Sequence, residues 1–547
     1  MARIEVQRVG GRYGRVCGGG LVAASLLAGA QMVVPGVAVG TAAAETVFRR
    51  GHQAEPESLD PQKVDSAEES SILLDLFEGL TRIDGKGQII PAVATSWDVA
   101  PDGFSWTFHL RADAKWSDGS PVVADDFVYG FRRAVDPATA APYVSILYEI
   151  NGARAISDGK EKDLTKLGVT APDAHTVKIA LNEPTAFLPG VLALPIAYPM
   201  PRKAIEAGGE QWTRPGKMIS NGAYKLDAWE PQQEIRLVRN PDYWNAASVK
   251  IDVARWLVVE SDETAFRRFR AGELDFSRIP VTEIPWARKN MADELHPDVN
   301  MWTAYIILNT GTAPLNDPRL RQALAMTLDR EALAEKIDPH GEVPAYGIIP
   351  PGMPGYTQQP PEWASLSRAD KLAKAKALYA AAGYGPDNPL KLELIYPTTE
   401  NSRRTTTAMA GMWRLALGAE VTMSNEENQI VLSQTRHRDY QMSLYGWIAD
   451  YPDPWTFLSN FQSDAGDLNT SDYKNPEFDL LLNRAKETID PAARLKVLEA
   501  AERLISRDMP VIPLYYDVRP YLVSTKLDGY HANPLDIHPT QDMAFKQ

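Results

Sequence analysis

The feature that most constrains the fold of this sequence is a strand, helix, strand pattern that appears in both halves of the chain. In the first half the pattern predicts a strand over 255–260, a helix over 264–271 and a strand over 273–276. In the second half, a strand over 390–394 and a strand that opens at Val421 flank a helix. Units of this length imply parallel sheets joined by right-handed crossovers, so we expect an α/β fold.

Shorter patterns predict further elements. Apolar spacing predicts a helix over 70–80, and alternation predicts a strand over 104–110. Asp125 and Asp126 are expected to cap a helix over 127–134, and the capping box that begins at Ser367 is expected to start another. Gly418 is expected to end the helix that precedes Val421.

The length of the chain bears on the number of domains. A hydrophobic core stops growing at about 250–300 residues, and this chain has 547 residues, 44% of them hydrophobic. The content of 13 Trp and 21 Tyr describes an aromatic-rich globular protein. We therefore expect two or three domains.

Residues 1–44 differ in kind from the rest of the chain. Four arginines precede an apolar run over 21–30, and Ala42, Ala43 and Ala44 follow with the small side chains of a cleavage site. This arrangement predicts a signal peptide with cleavage near Ala44/Glu45. The alternative is a membrane anchor, but the run is shorter than the roughly 20 residues that a span requires.

Cysteine and charge narrow the function further. The single cysteine, Cys17, lies in the leader, so the mature chain has no disulfide and no thiol nucleophile. The net charge is −14, and the leader contributes +3, which leaves −17 on the mature protein. An acidic surface of this kind argues against binding to nucleic acid or to anionic lipid.

The stretch from Gly446 to Pro454 contains the strongest candidate for a binding residue. A strand over 440–445 runs into a loop that two prolines make rigid, and Gly446 allows another backbone to approach closely. Asp450 lies where the strand becomes loop, between Trp447 and Tyr451. Its carboxylate either caps the turn or accepts the ammonium group of a ligand, and spacing alone does not decide between these roles.

Patterns typical of catalysis and of metal binding are absent from the sequence. The eight histidines never lie four residues apart, and no phosphate-binding glycine loop or nucleophile elbow occurs. We therefore expect no metal, no cofactor and no enzymatic activity. A remote alternative is a secreted hydrolase that uses Asp450 and Asp453 as an acid and base pair.

Several stretches of the chain occur together, in the same order, in one known family. They are Ser58–Pro61, Asp75–Leu80, Trp106–Arg111, Ala114–Gly119, Asp126–Tyr129, Asn221–Leu226, Leu328–Arg330 and Gly446–Tyr451. In these stretches the chain resembles the periplasmic oligopeptide-binding proteins of bacterial solute-binding protein family 5. Those proteins are the extracellular receptors of peptide-importing ABC transporters.

The resemblance implies a fold of the periplasmic binding protein type II kind, with two lobes around a hinge and an extra domain. The expected boundaries follow the family. They are 1–44 for the signal peptide, 45–77, 203–304 and 519–547 for domain I, 78–202 for domain II, and 305–518 for domain III.

The resemblance also assigns roles to residues. Asp65 and Ala67 match the segment of one lobe that pairs with the peptide backbone, and residues 446–448, Gly446, Trp447 and Ile448, match the segment of the other lobe. Asp450 matches the aspartate that binds the ligand ammonium group. Tyr143 matches a tyrosine that contacts the peptide.

Other positions depart from the family, all of them on the side that receives the ligand carboxylate. Leu444 replaces an arginine, Ser402 a histidine, Ala325 a lysine and Asp517 a tyrosine. Arg436 remains and Arg403 lies nearby; each is either a ligand cation or an ordinary surface residue. We expect recognition of the amino terminus to be kept and recognition of the carboxyl terminus to differ.

The function expected from the resemblance is that of a monomeric periplasmic receptor. It would capture an oligopeptide between closing lobes and deliver it to a membrane-embedded ABC permease. The alternative keeps the receptor role but changes the ligand, to a murein peptide, an opine-like conjugate or a metal chelate.

Overall fold

The computed structural model describes residues 45–64, 66–337, 341–449 and 451–546. The predicted signal peptide, with Cys17, lies outside these ranges, as do Asp65 and Asp450. The roles predicted for Asp65 and Asp450 therefore stay predictions.

The bounds of the secondary-structure elements are as follows. In chain order the strands are β1 (Val47–His52), β2 (Thr81–Ile83), β3 (Ile89–Pro91), β4 (Ala94–Val99), β5 (Ser105–Leu110), β6 (Val169–Asp173), β7 (Thr176–Ala180), β8 (Tyr224–Glu230), β9 (Glu234–Arg239), β10 (Val253–Val258), β11 (Phe276–Arg278), β12 (Leu295–Leu308), β13 (Val343–Pro344), β14 (Lys391–Pro397), β15 (Glu420–Glu426), β16 (Met442–Ile448), β17 (Val511–Val523), β18 (Leu527–Asp528) and β19 (Ala544–Phe545). The α-helices are α1 (Ala67–Leu76), α2 (Ala124–Val135), α3 (Ala153–Ser157), α4 (Leu188–Val191), α5 (Arg202–Gly208), α6 (Asp262–Arg270), α7 (Ile284–Asn290), α8 (Pro318–Thr327), α9 (Arg330–Ala332), α10 (Arg368–Ala381), α11 (Glu400–Leu417), α12 (Asn428–His437), α13 (Trp455–Leu458), α14 (Pro476–Glu487) and α15 (Pro491–Asp508).

One large sheet organises the fold. Its strand order is β15-β14-β16-β12-β17-β11-β1-β10-β9-β8, with β13 paired to β17. The two predicted strand, helix, strand units are confirmed, because β14 pairs with β15 in parallel across α11, and β10 and β11 both pair in parallel with β1. The α/β prediction is therefore confirmed.

The prediction that the sheet is parallel is only partly right, because the sheet is mixed. Its centre is an antiparallel pair of long strands, β12 and β17, and each of these also pairs antiparallel with its outer neighbour, β16 or β11. The register between β12 and β17 shifts between Val299 and Thr303, and again between Ala304 and Tyr305. Two irregular points therefore interrupt the pairing of the two central strands of this sheet.

A second, antiparallel sheet has the strand order β4-β5-β7-β6. The alternation predicted over 104–110 is confirmed within β5, where Trp106, Phe108 and Leu110 are buried and their neighbours are partly exposed. It is wrong at Phe104, which precedes the strand and is 44% exposed. Period-two burial of this kind is what a sheet with one covered face produces.

The predicted helix boundaries hold where a side chain caps the helix. Ser367 accepts the backbone N–H of Asp370 at the start of α10, and Gly418 ends α11 in the left-handed conformation with φ 72°. The paired acids Asp125 and Asp126 lie inside the first turn of α2 instead of preceding it, since Val123 is the residue before the helix. The first helix begins at Ala67 and ends at Leu76, earlier than the predicted 70–80.

A hydrophobic cluster and a buried carboxyl group show which distant segments of the chain pack together. One cluster is drawn entirely from residues between Ala304 and Tyr515. The C-terminal segment packs elsewhere: Asp75 of α1 accepts hydrogen bonds from the Thr540 backbone N–H (2.9 Å) and hydroxyl (2.6 Å). Among the described residues no helix combines the length and the apolar character that crossing a bilayer requires.

Candidate functional site

The hydrogen-bond pattern of β16 decides which of its backbone groups remain available. At one end Asn309 donates its N–H to the Gln441 carbonyl, and at the other Ala449 donates its N–H to the Met301 carbonyl, both at 2.9 Å. In an antiparallel pair such bonds recur at every second residue. The odd-numbered residues from 441 to 449 therefore direct their N–H and C=O groups toward β12.

The even-numbered residues direct theirs to the opposite edge of the strand. There β14 pairs in parallel with Met442 and Ser443, and its contact with β16 ends at that point. Beyond it, no described strand lies beside Leu444, Gly446 and Ile448. An unpaired edge of this kind is a template for another extended chain.

Position 446 needs a glycine because the indole ring of Trp302, and not another backbone segment of the described chain, lies where a Cβ atom would be. A Cβ atom at this position would lie 2.4 Å from Cζ2 and 2.6 Å from Cε2 of Trp302. Trp302 pairs with Ile448 in the register of β12 and β16, so its indole extends over the neighbouring residue on the same face. The glycine thus lets an indole cover the backbone of the unpaired edge.

A cavity of about 450 Å³, cavity A, lies on the Trp302 face of this edge. Its lining includes Trp302, Leu444 and Gly446 with Ser402 and Asn428. None of its lining residues in the described chain carries a charge. Thr399, the N-cap of α11, and Asn428, the first residue of α12, also place the N-terminal ends of two helices at this cavity.

Two further cavities lie around Trp447. Cavity B, about 290 Å³, is lined by Tyr445, Trp447 and Arg436, among others. Cavity C, about 610 Å³, shares Trp447 with it and adds Tyr143 and Glu149, among others. Tyr445 and Trp447 also border cavity A, but the described linings of cavities B and C include none of Trp302, Leu444, Gly446 and Ile448. Cavities B and C therefore lie on the face opposite to Trp302.

The charged groups of cavity C are dominated by carboxylates. Glu149, Glu183 and Asp464 line it together with Lys486. Lys486 donates to both oxygens of Glu183, at 2.8 and 2.9 Å. Burial raises the pKa of the Glu149 carboxyl, and the nearby charge of Glu183 raises it further.

The loop after β16 is anchored by a buried ion pair. Arg494 of α15 donates to both oxygens of Asp453, at 2.6 and 3.0 Å, and Asp453 also accepts the N–H of Trp455. Phe187 stacks on Tyr451 with ring centroids 4.7 Å apart. A carboxylate held by an arginine in this way is poorly suited to act as a general acid or base, which argues against the hydrolase alternative.

Several predicted site residues converge on this region. Gly446 and Ile448 belong to the unpaired edge, Trp447 and Tyr143 line cavity C, and Arg436 lines cavity B. Of the positions that depart from the family, Leu444 and Ser402 line cavity A. The described neighbours of Asp450, Ala449 and Tyr451, lie at the end of the same edge.

Other predicted residues lie elsewhere. Ala67 lines a small cavity in the other half of the large sheet, with Arg278 and Arg519. Arg403 is an exposed helix residue whose guanidinium pairs with Glu400 at 2.8 Å, so it fits the surface interpretation. Asp517 accepts a hydrogen bond from Asn300 (3.2 Å) and lies 3.7 Å from the Arg519 guanidinium, so its charge already has a partner.

Ala325 is fully buried in α8 and touches none of the three cavities. A lysine at that position would therefore need a different local structure to reach a ligand in cavity A.

Sequence reasoning missed four residues of the site: Trp302, Tyr515, Glu149 and Lys486. Trp302 and Tyr515 belong to β12 and β17, whose long buried runs show no period of two. Glu149 and Lys486 come from distant segments and belong to no motif. The only link between these residues and the predicted site is that they line the cavities around Trp447 and the neighbouring strand edge.

A family model describes most of this architecture. The model for the bacterial extracellular solute-binding proteins, family 5 Middle, matches residues 88–469. The chain belongs to this family.

Curated relatives of this family 5 protein extend over nearly its whole length. It is 38% identical to the periplasmic oligopeptide-binding protein OppA of Escherichia coli K12 over 95% of its own length and 97% of the relative's. It is 35% identical to the probable deoxycholate-binding periplasmic protein YgiS of the same organism, over 96% and 97%.

Solved structures agree with the family assignment. The unliganded open form of the murein tripeptide-binding protein MppA gives a TM-score of 0.88 at 36% identity, with 92% of this chain and 98% of that one covered. A second structure, of E. coli MppA, gives 0.69 at the same identity, over 92% and 99%. The conformation of this family 5 protein is thus similar to the open one.

Proposed function

We propose that this protein is a periplasmic receptor that binds oligopeptides and passes them to the membrane-embedded permease of an ABC transporter. The observation that carries the proposal is the unpaired edge of β16, with cavities on both of its faces. An extended peptide added to this edge bonds through its main chain to Gly446 and Ile448, whatever its sequence. Its side chains then enter cavities roomy enough to keep water.

The amino terminus of the peptide is proposed to lie at the end of β16, where Asp450 follows Ala449. A carboxylate that a bound ligand shields from water gains from an ammonium partner. Because both ions lose water, the net benefit is about a few kcal/mol. Ala67 and Asp65 are proposed to meet the peptide from the other lobe.

Closure around the ligand is proposed to occur about β12 and β17. Their register shifts beside the proposed boundaries at 304/305 and 518/519. One of the hydrophobic clusters draws its buried residues only from the range between Ala304 and Tyr515, which supports domain III at 305–518. The bonds from Thr540 to Asp75 support the return of 519–547 to domain I. Domain II is proposed at 78–202, with the remainder of domain I at 45–77 and 203–304.

Export and assembly complete the proposal. The leader over 1–44 is proposed to be cleaved near Ala44/Glu45, and the mature protein to act as a monomer without a cofactor or enzymatic activity. The relatives named as binding proteins support this role. The described residues hold no group of three or more His, Cys, Asp or Glu side chains placed to bind a metal ion.

A second candidate keeps the receptor role and changes the ligand. Among the described residues that line cavity A, none is a cation that could bind a peptide carboxylate. One relative is named as a probable deoxycholate-binding protein and not for a peptide. A murein peptide, an opine-like conjugate or a metal chelate belongs to this candidate. Mass spectrometry of the ligand released from purified, denatured protein distinguishes it from the first.

The test of the peptide proposal is titration calorimetry with a pentapeptide and its singly N-methylated analogues. N-methylation removes one donor at a time, so binding should weaken at alternate positions, each bond being worth about 0.5–1.5 kcal/mol. N-acetylation should weaken binding as well if Asp450 holds the amino terminus. A uniform response to N-methylation, or equal binding of the acetylated peptide, contradicts the strand-addition model or the Asp450 assignment respectively.

A further inference from the structure

The two faces of the unpaired β16 edge differ in charge. Successive side chains of an extended chain point to opposite faces. A peptide added beside Gly446 and Ile448 therefore sends one set of alternate side chains toward Trp302 and the other set toward Trp447. The cavities on the two faces then select different chemistry at odd and even positions of the ligand.

The Trp302 face accepts uncharged groups. Cavity A combines the rings of Trp302 and Tyr515 with neutral polar side chains such as Ser402 and Asn428. A charged side chain that enters it loses water and finds no opposite charge in the described lining. A cation is disfavoured further, because α11 and α12 begin here and helix N-termini carry partial positive charge.

The Trp447 face accepts a cation. In cavity C the Lys486 ammonium is already held by both oxygens of Glu183. Glu149 makes no side-chain hydrogen bond or ion pair to another described residue within the usual distances. It is partly buried and lies close enough to Glu183 for the two charges to oppose each other, while the charge of Lys486, which Glu183 already binds, offsets part of that repulsion.

The aromatic wall of cavity C suits the same ligand group. Tyr451 and Trp455 both stack on Phe187, at 4.7 and 6.1 Å between ring centroids, and Trp447 lines the same cavity. A lysine or arginine side chain lays its methylene groups along such rings and places its charged end at a carboxylate.

Resting on the proposed function, we infer that the protein selects peptides in which a cationic side chain occupies cavity C and the side chains of the opposite parity are uncharged. Glu149 is the residue that determines this specificity. The general attraction of an acidic protein for cations acts on every ligand position alike, so only an alternating preference reports the two faces.

The first experiment is a lysine scan through an alanine pentapeptide with a free amino terminus, read by titration calorimetry. Affinity should be about tenfold higher when lysine lies at a position whose side chain enters cavity C, the gain expected from one half-buried ion pair, and positions of the opposite parity should show no gain. A lysine of the same parity that enters cavity B meets Arg436 as well as Asp467, so it should show no such gain either. The N-methylated series fixes the register of the same peptide. A flat lysine scan beside an alternating N-methyl profile overturns this inference alone, whereas failure of every peptide to bind overturns the proposed function.

The second experiment assigns the effect to Glu149. In the Glu149→Gln variant the ratio of affinities between the best lysine peptide and its norleucine analogue should fall about tenfold. The matched control is Glu210→Gln, an exposed glutamate outside the three cavities, which should leave the ratio unchanged. An unchanged ratio in Glu149→Gln, in protein that melts like the wild type, overturns the role of Glu149.

Discussion

Replacing Gly446 by alanine tests the construction of the site at its tightest point. The added Cβ would lie 2.4 Å from Cζ2 and 2.6 Å from Cε2 of Trp302. Carbon atoms in contact stay about 3.5 Å apart, so the indole must move by about 1 Å. Gly446 is not among the residues with positive φ, so alanine strains the chain only through this contact.

The expected loss follows from overpacking. Forcing a methyl group into a packed position costs about 1–3 kcal/mol, and the displaced indole moves within the space that the ligand needs. We expect peptide affinity to fall roughly tenfold to a hundredfold, since each 1.4 kcal/mol is a factor of ten. Titration calorimetry measures the affinity, and denaturant unfolding measures how much of the loss falls on stability.

A matched glycine shows that the effect comes from the ring. Gly411 lies within α11, and a Cβ there meets no atom within 4 Å. Gly411→Ala should stabilise the protein by about 0.5–1 kcal/mol, through helix propensity, and leave peptide affinity unchanged.

A double-mutant cycle isolates the contact itself. In a Trp302→Ala background, Gly446→Ala should cost little, because the ring that it meets is absent. The reasoning is refuted if Gly446→Ala binds peptide as tightly as the wild type, or if the two changes add to within about 0.5 kcal/mol.

Two further predictions concern buried charges. Arg494→Met should destabilise the protein by about 2–3 kcal/mol in denaturant unfolding, because the half-buried Asp453 loses its arginine partner and keeps only the Trp455 N–H. Recovery in Arg494→Met with Asp453→Leu supports this cause, and equal loss in the double variant contradicts it. Burial raises the pKa of Glu502 to about 7 in the folded protein, above its unfolded value near 4.5, so the folded state holds its proton longer. As the pH rises from about 4.5 to 7, the free energy of unfolding of the wild type should therefore fall relative to that of Glu502→Gln, by at most about 1.4 kcal/mol per pH unit. Melting temperatures measured at several pH values check this, and a constant difference between the two proteins would rule it out.

Local signals account for the parts of the fold that the sequence predicted. Ser367 and Gly418 mark the ends of helices because capping depends on a side chain or a φ angle within one turn. The alternation through Trp106 and Phe108 marks β5 because only one face of that sheet is covered. Each of these features is readable within about ten residues.

The centre of the large sheet has no such signal. In β12 the residues from Ala304 to Leu308 are all buried, and in β17 those from Val511 to Tyr516 are as well. Strands buried on both faces lose the period of two. Their pairing joins residues more than 200 positions apart, so neither the strands nor the mixed direction of the sheet could be predicted locally.

In the candidate site, too, the locally encoded features could be predicted and the features that depend on distant segments could not. Gly446 was found from its turn, yet its neighbour is the ring of Trp302, which the missed strand β12 supplies. Glu149 lies about 300 residues before Trp447 in the chain, and only the tertiary fold brings the two to one cavity. Sequence reasoning therefore located the strand edge and left its side-chain cavities undefined.

Gly446→Ala and Glu149→Gln should have different effects on affinity, because one residue lies at the edge that bonds the ligand main chain and the other lies in a cavity that receives a ligand side chain. Gly446→Ala acts on the edge that bonds the ligand main chain, so it should lower the affinity of every peptide by a similar factor. Glu149→Gln acts on one face only, so it should lower the affinity of peptides with lysine at the position that enters cavity C and spare the rest. If Gly446→Ala instead changed the lysine preference, the two faces would not be independent, and the alternating arrangement of cavities around β16 would fail as an account of specificity.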